Sequence, residues 1–339
     1  MELGINLKNM KKTIALLFIF SLVLTGCNLF GANKPQDDES DVIDSQQEEI
    51  DRLQDELDAL KGNASTTPKP TKEEPKKEET KEEPVAEKTT LQDLGDFKIF
   101  YGPTQNPSYT GMNEVIKKSQ VFEKVAATLN FILVLPKDFP ITFAECGFAN
   151  AYYTSDTKEI IICNELLEQF GQNFAYFVQT EAELDQAITD ATYFILYHEL
   201  GHGLIDIYNL NYSGREEDVV DQLSTLILSL AGEAGTRAAI AGANYFYLTS
   251  SQIDTSSYPF WDTHSMNQQR YYNILCWVYG SNPEKYNDLV NPSALPQERA
   301  VWCQREYQKI SDFWDITIYP YLQEDIKKIM EEEGTAPTN

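Results

Sequence analysis

The sequence predicts an α+β fold in which a small β-sheet with a hairpin at its edge packs against a helical core. Three observations predict this fold. Two runs of β-forming residues within 146–163 flank a short polar turn, as in a hairpin. Residues 193–206 are mostly apolar around two histidines spaced four apart, as in a buried helix. Residues 289–325 add C-terminal helices.

The charge balance excludes one class of function. The chain has 339 residues, and 53 acidic against 27 basic side chains give a formal net charge of −26. A nucleic-acid-binding protein needs a basic surface that displaces counterions from phosphates, so we expect no nucleic-acid partner. The acidity also argues against adhesion to an anionic lipid surface by charge.

The first 26 residues have the features of an export signal. Three lysines (Lys8, Lys11 and Lys12) precede an apolar run over 13–24. That run is too short for a transmembrane helix, which needs about 20 residues, but it suits a secretory signal. It ends in Leu24-Thr-Gly-Cys27, which resembles the bacterial lipobox. The resemblance implies a lipid on Cys27, and therefore an extracytoplasmic, membrane-anchored lipoprotein of a bacterium.

Residues 27–90 are predicted to be a tether. Within the stalk, residues 27–62, apolar residues recur at heptad spacing over 43–60. Two interpretations stay open: a short coiled coil that lets copies associate weakly, or a solvated spacer. Residues 63–90 are almost entirely Thr, Pro, Lys and Glu, which predicts a disordered linker. The folded domain is predicted to span 91–335.

The remaining cysteines fit an exported domain. Without Cys27 there are four: Cys146, Cys163, Cys276 and Cys303. An even number suggests two disulfides. Three pairings are compatible with the sequence, and the local one, 146–163 with 276–303, is favoured because each pair brackets a compact unit.

The chemistry is predicted to centre on His198-Glu-Leu-Gly-His202. Residues four apart share one face of a helix, so both imidazoles can reach one zinc ion. Glu199 lies beside the pair, where a carboxylate can act as a general base toward water. Two histidines around a glutamate at this spacing therefore predict a zinc site.

A catalytic zinc needs a third protein ligand. The metzincin pattern is excluded, because its glycine and histidine positions hold Ile205 and Tyr208. The stretch 215–221 instead resembles the Glu-x-x-x-Asp of gluzincin metallopeptidases. That resemblance implies Glu217 as the ligand and Asp221 as the carboxylate that orients a ligand histidine. Glu216 stays an alternative ligand, because it lies nearer the centre of the helix's apolar stripe, which is formed by Val219, Leu223, Leu226 and Leu230.

Two further segments are assigned by resemblance. The hairpin's Asn150-Ala151-Tyr152 resembles the edge strand that lines the cleft of thermolysin-like enzymes, where a peptide substrate pairs with the strand. A downstream His or Tyr in gluzincins donates a hydrogen bond to the oxyanion, and His264, Tyr271 or Tyr272 could do so. Arg270 is interpreted as a structural partner for acidic groups.

Together these segments resemble a bacterial family of metallopeptidase-like domains of unknown function. The resemblance covers roughly residues 91–331 and implies a zincin-like fold. It also implies a zinc-dependent metallopeptidase (a hydrolase) acting on a peptide or protein substrate. A non-catalytic, zinc-containing lipoprotein that binds a peptide or partner is the alternative, and the intact Glu199 argues against it. A purely structural zinc site is disfavoured, because no fourth Cys or His lies near the motif in sequence.

Overall fold

Residues 91–250 and 260–337 are described by the computed structural model. Their strands are β1 (Phe97–Tyr101), β2 (Phe139–Ala144), β3 (Ala151–Thr154) and β4 (Glu159–Cys163). Their helices are α1 (Pro107–Ser119), α2 (Val121–Ile132), α3 (Asn164–Phe174), α4 (Glu181–Tyr208), α5 (Glu216–Leu230), α6 (Gly232–Ser250), α7 (Asn267–Ser281), α8 (Gln297–Ile318) and α9 (Glu324–Glu332). Short 3₁₀ turns occupy Asn287–Leu289 and Tyr319–Tyr321. The predicted α+β class is confirmed.

The four strands form one mixed sheet in the order β1-β2-β4-β3. Neighbours β1, β2 and β4 are parallel, and β3 runs antiparallel to β4. The predicted hairpin is therefore β3–β4, and β3 is an edge strand. Lys158 closes its turn with a positive φ of 57°. The sequence analysis did not predict β1 or β2.

One face of the sheet is buried against α4. Alternate residues of β2 (Phe139, Ile141 and Phe143) are fully buried, as expected for a strand with one face in the core. The helix comes so close that a Cβ on Gly203 would lie 2.4 Å from Cζ of Phe139. Glycine at this position therefore lets the motif-bearing helix lie directly on the sheet.

Helix α4 is fixed at its start by local hydrogen bonds and further along by burial. Thr180 Oγ1 accepts the N–H of Glu183, and the Glu183 carboxylate accepts the N–H of Thr180, which together make a capping box. From Asp190 onward most of the helix is buried. Helices α5 and α6 pack along it, and α5 buries the predicted stripe of Val219, Leu223, Leu226 and Leu230.

Two disulfides tie these elements together. Cys146–Cys163 joins the loop before β3 to the end of β4, and Cys276–Cys303 joins α7 to α8. The favoured local pairing is the one present.

Several predictions lie outside the described residues. They are the signal peptide (1–26), Cys27, the stalk (27–62) with its heptad segment (43–60), and the linker (63–90). Within the part of the chain that is described, no helix has the length and apolarity needed to cross a bilayer.

Candidate metal centre and cleft

The two motif histidines project from the same face of α4. Their ring centroids lie 5.1 Å apart, with the ring planes at 82°. His198 is buried and His202 is partly exposed. The i, i+4 spacing of the helix places both imidazoles at one site, as predicted from the sequence.

The carboxylate of Glu217 lies where the imidazoles converge. Its Oε2 is 3.3 Å from Nε2 of His198, 3.5 Å from Nε2 of His202 and 3.0 Å from Nε2 of His264. Glu217 belongs to the first turn of α5, and His264 comes from the loop before α7. Three separate parts of the chain therefore supply the four side chains.

These atoms fit a ligand set for a metal ion. The Oε2 atom of Glu217 is buried and has no hydrogen bond of normal geometry among the described residues, although three ring nitrogens lie within 3.5 Å. Ligand atoms of His198, Glu217 and His264 all lie within 4.8 Å of one another. Imidazole nitrogens with a carboxylate oxygen are the donor types that zinc takes in catalytic sites.

The ionisable side chains of the site shift one another's pKa values. Burial by itself would raise the pKa of Glu217, but its interactions with the three histidines hold it far below the ordinary value. Burial would lower the pKa of His198, but its hydrogen bond to Asp221 and the nearby carboxylate of Glu217 outweigh that effect and raise it to about 9. A cation entering the site therefore has to displace protons.

A carboxylate orients each motif histidine from behind. His198 Nδ1 donates to Asp221 Oδ1 at 2.8 Å. Arg270 in turn donates to both oxygens of Asp221 at 2.7 Å, and its guanidinium lies 3.7 Å from the ring centroid of Phe246. Burial raises the pKa of Asp221, but the charge of Arg270 and the bond to His198 lower it to about 2. Arg270 is therefore the structural partner that the sequence analysis suggested.

Glu216 binds the outer nitrogen of the second histidine. Its Oε1 is 2.7 Å from Nδ1 of His202, and its Oε2 accepts the hydroxyl of Tyr212 at 2.5 Å. Glu217 instead faces the Nε2 side of the same ring. This geometry distinguishes the two alternatives: Glu217 lies at the centre of the site, and Glu216 lies behind His202.

Glu199 lies at the inner wall of a cleft of about 680 Å³, between α4 and the edge strand. Its Oε2 accepts the backbone N–H of Tyr153 at 2.9 Å. The predicted edge residues Asn150, Ala151 and Tyr152 all line this cleft. Their role in holding a substrate stays a prediction.

The structure separates the candidates for an oxyanion donor. His264 lines the cleft, and Asp262 Oδ1 accepts its backbone N–H at 2.8 Å and lies 3.1 Å from its Nδ1. Tyr271 is buried against the rings of Tyr247 and Tyr272, and it is not among the residues that line the cleft. The geometry therefore does not support Tyr271 as a donor, because its ring packs between helices.

Sequence reasoning missed part of the cleft wall. Asp206 accepts the hydroxyl of Tyr153 at 2.6 Å and forms an ion pair with Lys158. Asp206 follows His202 by four residues, so the helical period that identified the histidines also puts Asp206 on that face. Tyr212, Arg215 and Thr263 line the cleft as well, and no local pattern marks them.

Comparison with known proteins gives one family. Residues 101–318, well over half of the chain, match the model of the family DUF4344, described as "Putative metallopeptidase". No curated protein and no solved structure matches the chain. The matched range contains both motif histidines, Glu199, Glu217 and His264. This chain belongs to that metallopeptidase family.

Proposed function

We propose that this protein is a zinc metallopeptidase that hydrolyses peptide bonds outside the cytoplasm, anchored to a bacterial membrane through Cys27. The observation that carries the proposal is the convergence of three imidazole Nε2 atoms on the buried, unbonded Oε2 of Glu217, beside Glu199 in an open cleft. Family membership supports the hydrolase class and a metal.

His198, His202 and Glu217 would hold the zinc ion. When bound, zinc supplies a Lewis acid that polarises the scissile carbonyl and lowers the pKa of water toward about 7. Asp221 and Glu216 fix the ring orientation of the two histidines through their Nδ1 atoms. These contacts hold the Nε2 atoms toward the site.

Glu199 is proposed as the general base. Its carboxylate accepts the proton of the attacking water and passes it to the leaving amine. The bond from Tyr153 N–H occupies Oε2 and holds the side chain at the cleft wall, while Oε1 has no protein donor among the described residues. That oxygen is the one placed to receive the proton.

His264 is proposed to donate from Nε2 to the oxyanion of the tetrahedral intermediate. Its side chain is 46 % exposed, against 4 % for His198, so a substrate can reach it. Asp262 holds the ring from the Nδ1 side. Replacing His264 with Gln should therefore lower kcat while zinc stays bound.

The proposal is tested by zinc content and peptide cleavage in the full chain. Wild type is compared with Glu199→Gln and with Glu284→Gln, a control on an exposed residue outside the cleft. We expect one zinc per chain in all three by mass spectrometry, and cleavage of a peptide library by wild type and the control only. Zinc with no cleavage by wild type would favour the non-catalytic peptide-binding alternative. Failure of wild type to bind zinc would overturn the proposal.

Anchoring has its own test. A Cys27→Ala variant, expressed with its signal in a bacterial host, should lose lipid labelling. A variant that keeps the lipid label would contradict the anchor at Cys27.

A further inference from the structure

Arg215 lies where the cleft meets a second cavity. It directly precedes α5, and its side chain lines both the 680 Å³ cleft and an adjoining cavity of about 370 Å³. Among the described residues that line the cleft, it is the only lysine or arginine. It precedes Glu217 by two residues and lines the same cleft as the candidate metal ligands.

The guanidinium of Arg215 is almost unpartnered. Its one recorded contact is a long one, 3.5 Å from Nη1 to the hydroxyl of Ser265. No carboxylate in the described ranges lies within 4.0 Å of it. Three other arginines, Arg237, Arg270 and Arg299, each form a close ion pair with an Asp or Glu.

The carboxylates of the cleft, by contrast, each lie against a donor group or an imidazole. Glu199 accepts a backbone N–H, Asp206 pairs with a lysine and a tyrosine, and Glu216 binds an imidazole and a tyrosine. Glu217 faces three imidazoles. The charge that remains available to a substrate is therefore the positive charge of Arg215, although acidic residues outnumber it.

The adjoining cavity is polar. Beside Arg215 it is lined by Asp218, Ser265, Gln269, Tyr272 and Asn273. Its one carboxylate, Asp218, already accepts the Ser265 hydroxyl at 2.6 Å. Amide and hydroxyl groups around a free guanidinium suit a carboxylate, which an arginine binds through two parallel hydrogen bonds.

We propose that Arg215 is a specificity-determining residue that binds a carboxylate of the substrate next to the scissile bond. The carboxylate is either an Asp or Glu side chain or the free C-terminus of the peptide. This inference rests on the proposed peptidase function, and it predicts a preference for acidic or C-terminal segments of peptides.

A binding experiment tests the inference independently of catalysis. The full chain carrying Glu199→Gln, loaded with zinc, is titrated calorimetrically with acetylated hexa-alanine peptides. One peptide has a free C-terminal carboxylate, and its partner has a C-terminal amide. The remaining peptides keep the C-terminal amide and carry one Glu, or one Gln as its amide partner, at each position in turn. We expect one carboxylate form to bind at least about tenfold more tightly than its amide partner, as for a hydrogen-bonded ion pair. The peptide pair that shows the difference tells whether Arg215 binds the C-terminal carboxylate or an acidic side chain.

Arg215→Gln should remove that difference, whereas Arg305→Gln should keep it. Arg305 is a matched control, since it is an exposed arginine on α8 that does not line the cleft. In the enzyme with Glu199 intact, Arg215→Gln should raise KM for the preferred peptide with little change in zinc content.

Two binding results would overturn the inference. One is a peptide set in which no carboxylate form binds more tightly than its amide, including a set in which neither binds. The other is a preference that survives in Arg215→Gln. Cleavage of all peptides at equal rates would refute this inference and leave the peptidase function standing, whereas carboxylate-selective binding without hydrolysis by wild type would do the reverse.

Discussion

Replacing Glu217 with Gln should weaken zinc binding much more than replacing its neighbour Glu216 with Gln. Gln keeps the size of each side chain, removes the negative charge and replaces one acceptor oxygen by an NH₂ group. The two positions are adjacent at the start of one helix, so effects on helix formation are matched. Any difference between the variants therefore reports on where each carboxylate lies relative to the imidazoles.

The expected loss of zinc affinity follows from where each carboxylate lies and how deeply it is buried. Among the imidazoles Glu216 contacts only Nδ1 of His202, and its side chain is 36 % exposed, so water can replace the lost bond. Loss of such an outer partner costs about 10- to 100-fold in metal affinity, and we expect the lower end, about tenfold. Glu217 has its Oε2 within 3.5 Å of three Nε2 atoms and is 15 % exposed. We expect its loss to exceed about 100-fold, beyond the range for an outer group.

The difference in zinc affinity between wild type and Glu217→Gln should depend on pH, because zinc competes with protons. In the metal-free protein the pKa of His198 is about 9, partly because of Glu217, so zinc must displace a proton at pH 7. Removing Glu217 lowers that pKa and makes the proton easier to displace. The ratio of wild-type to Glu217→Gln affinity should therefore increase between pH 7 and pH 9.

Zinc affinity is measured by competition with a chromophoric chelator at both pH values, on the full chain. Glu284→Gln serves as the control and should bind zinc like wild type. If Glu216→Gln lost more affinity than Glu217→Gln, the assignment of the central carboxylate would be wrong.

Three further predictions concern stability. In zinc-free protein, the pKa of Asp221 is lowered to about 2, from an unfolded value near 4. At pH values above 4 this lowering contributes about 2 kcal/mol to the free energy of unfolding, and the contribution is lost as the pH falls toward 2. In urea unfolding, Asp221→Asn should therefore lose at least about 2 kcal/mol of unfolding free energy at pH 7, and its stability should depend less on pH between 4 and 2. A variant whose stability falls with pH as steeply as that of wild type in this range would contradict the prediction. Gly203→Ala should cost about 1–3 kcal/mol in the same assay, since its Cβ would overlap a buried ring of β2, and a neutral effect would mean that the helix can shift away. Replacing Cys276 and Cys303 together with Ala should cost about 3.5 kcal/mol for a loop of 27 residues, and thermal unfolding with and without reductant checks it.

Short-range patterns explain what was predictable about the site. The period of a helix puts His198 and His202 on one face, and Glu199 next to them, whatever the rest of the chain does. Runs of β-forming residues on both sides of a polar turn likewise predicted the hairpin that becomes β3–β4. The apolar stripe of α5 gave its buried face, but it could not say which of Glu216 and Glu217 faces the metal centre.

The sequence by itself determined the α+β class, the hairpin and the helix that carries His198, Glu199 and His202, because each depends on a pattern within one element. The other candidate residues came from the resemblance to gluzincins. Tertiary structure decided the rest. It placed Glu217 at the Nε2 atoms and Glu216 behind His202, brought the distant His264 to the same oxygen, and left Tyr271 packed between helices. It also gave Arg215 its position between two cavities. The physical reason is that the angle and depth at which α4, α5 and α7 pack together set these contacts, and packing of buried side chains across separate elements fixes that arrangement.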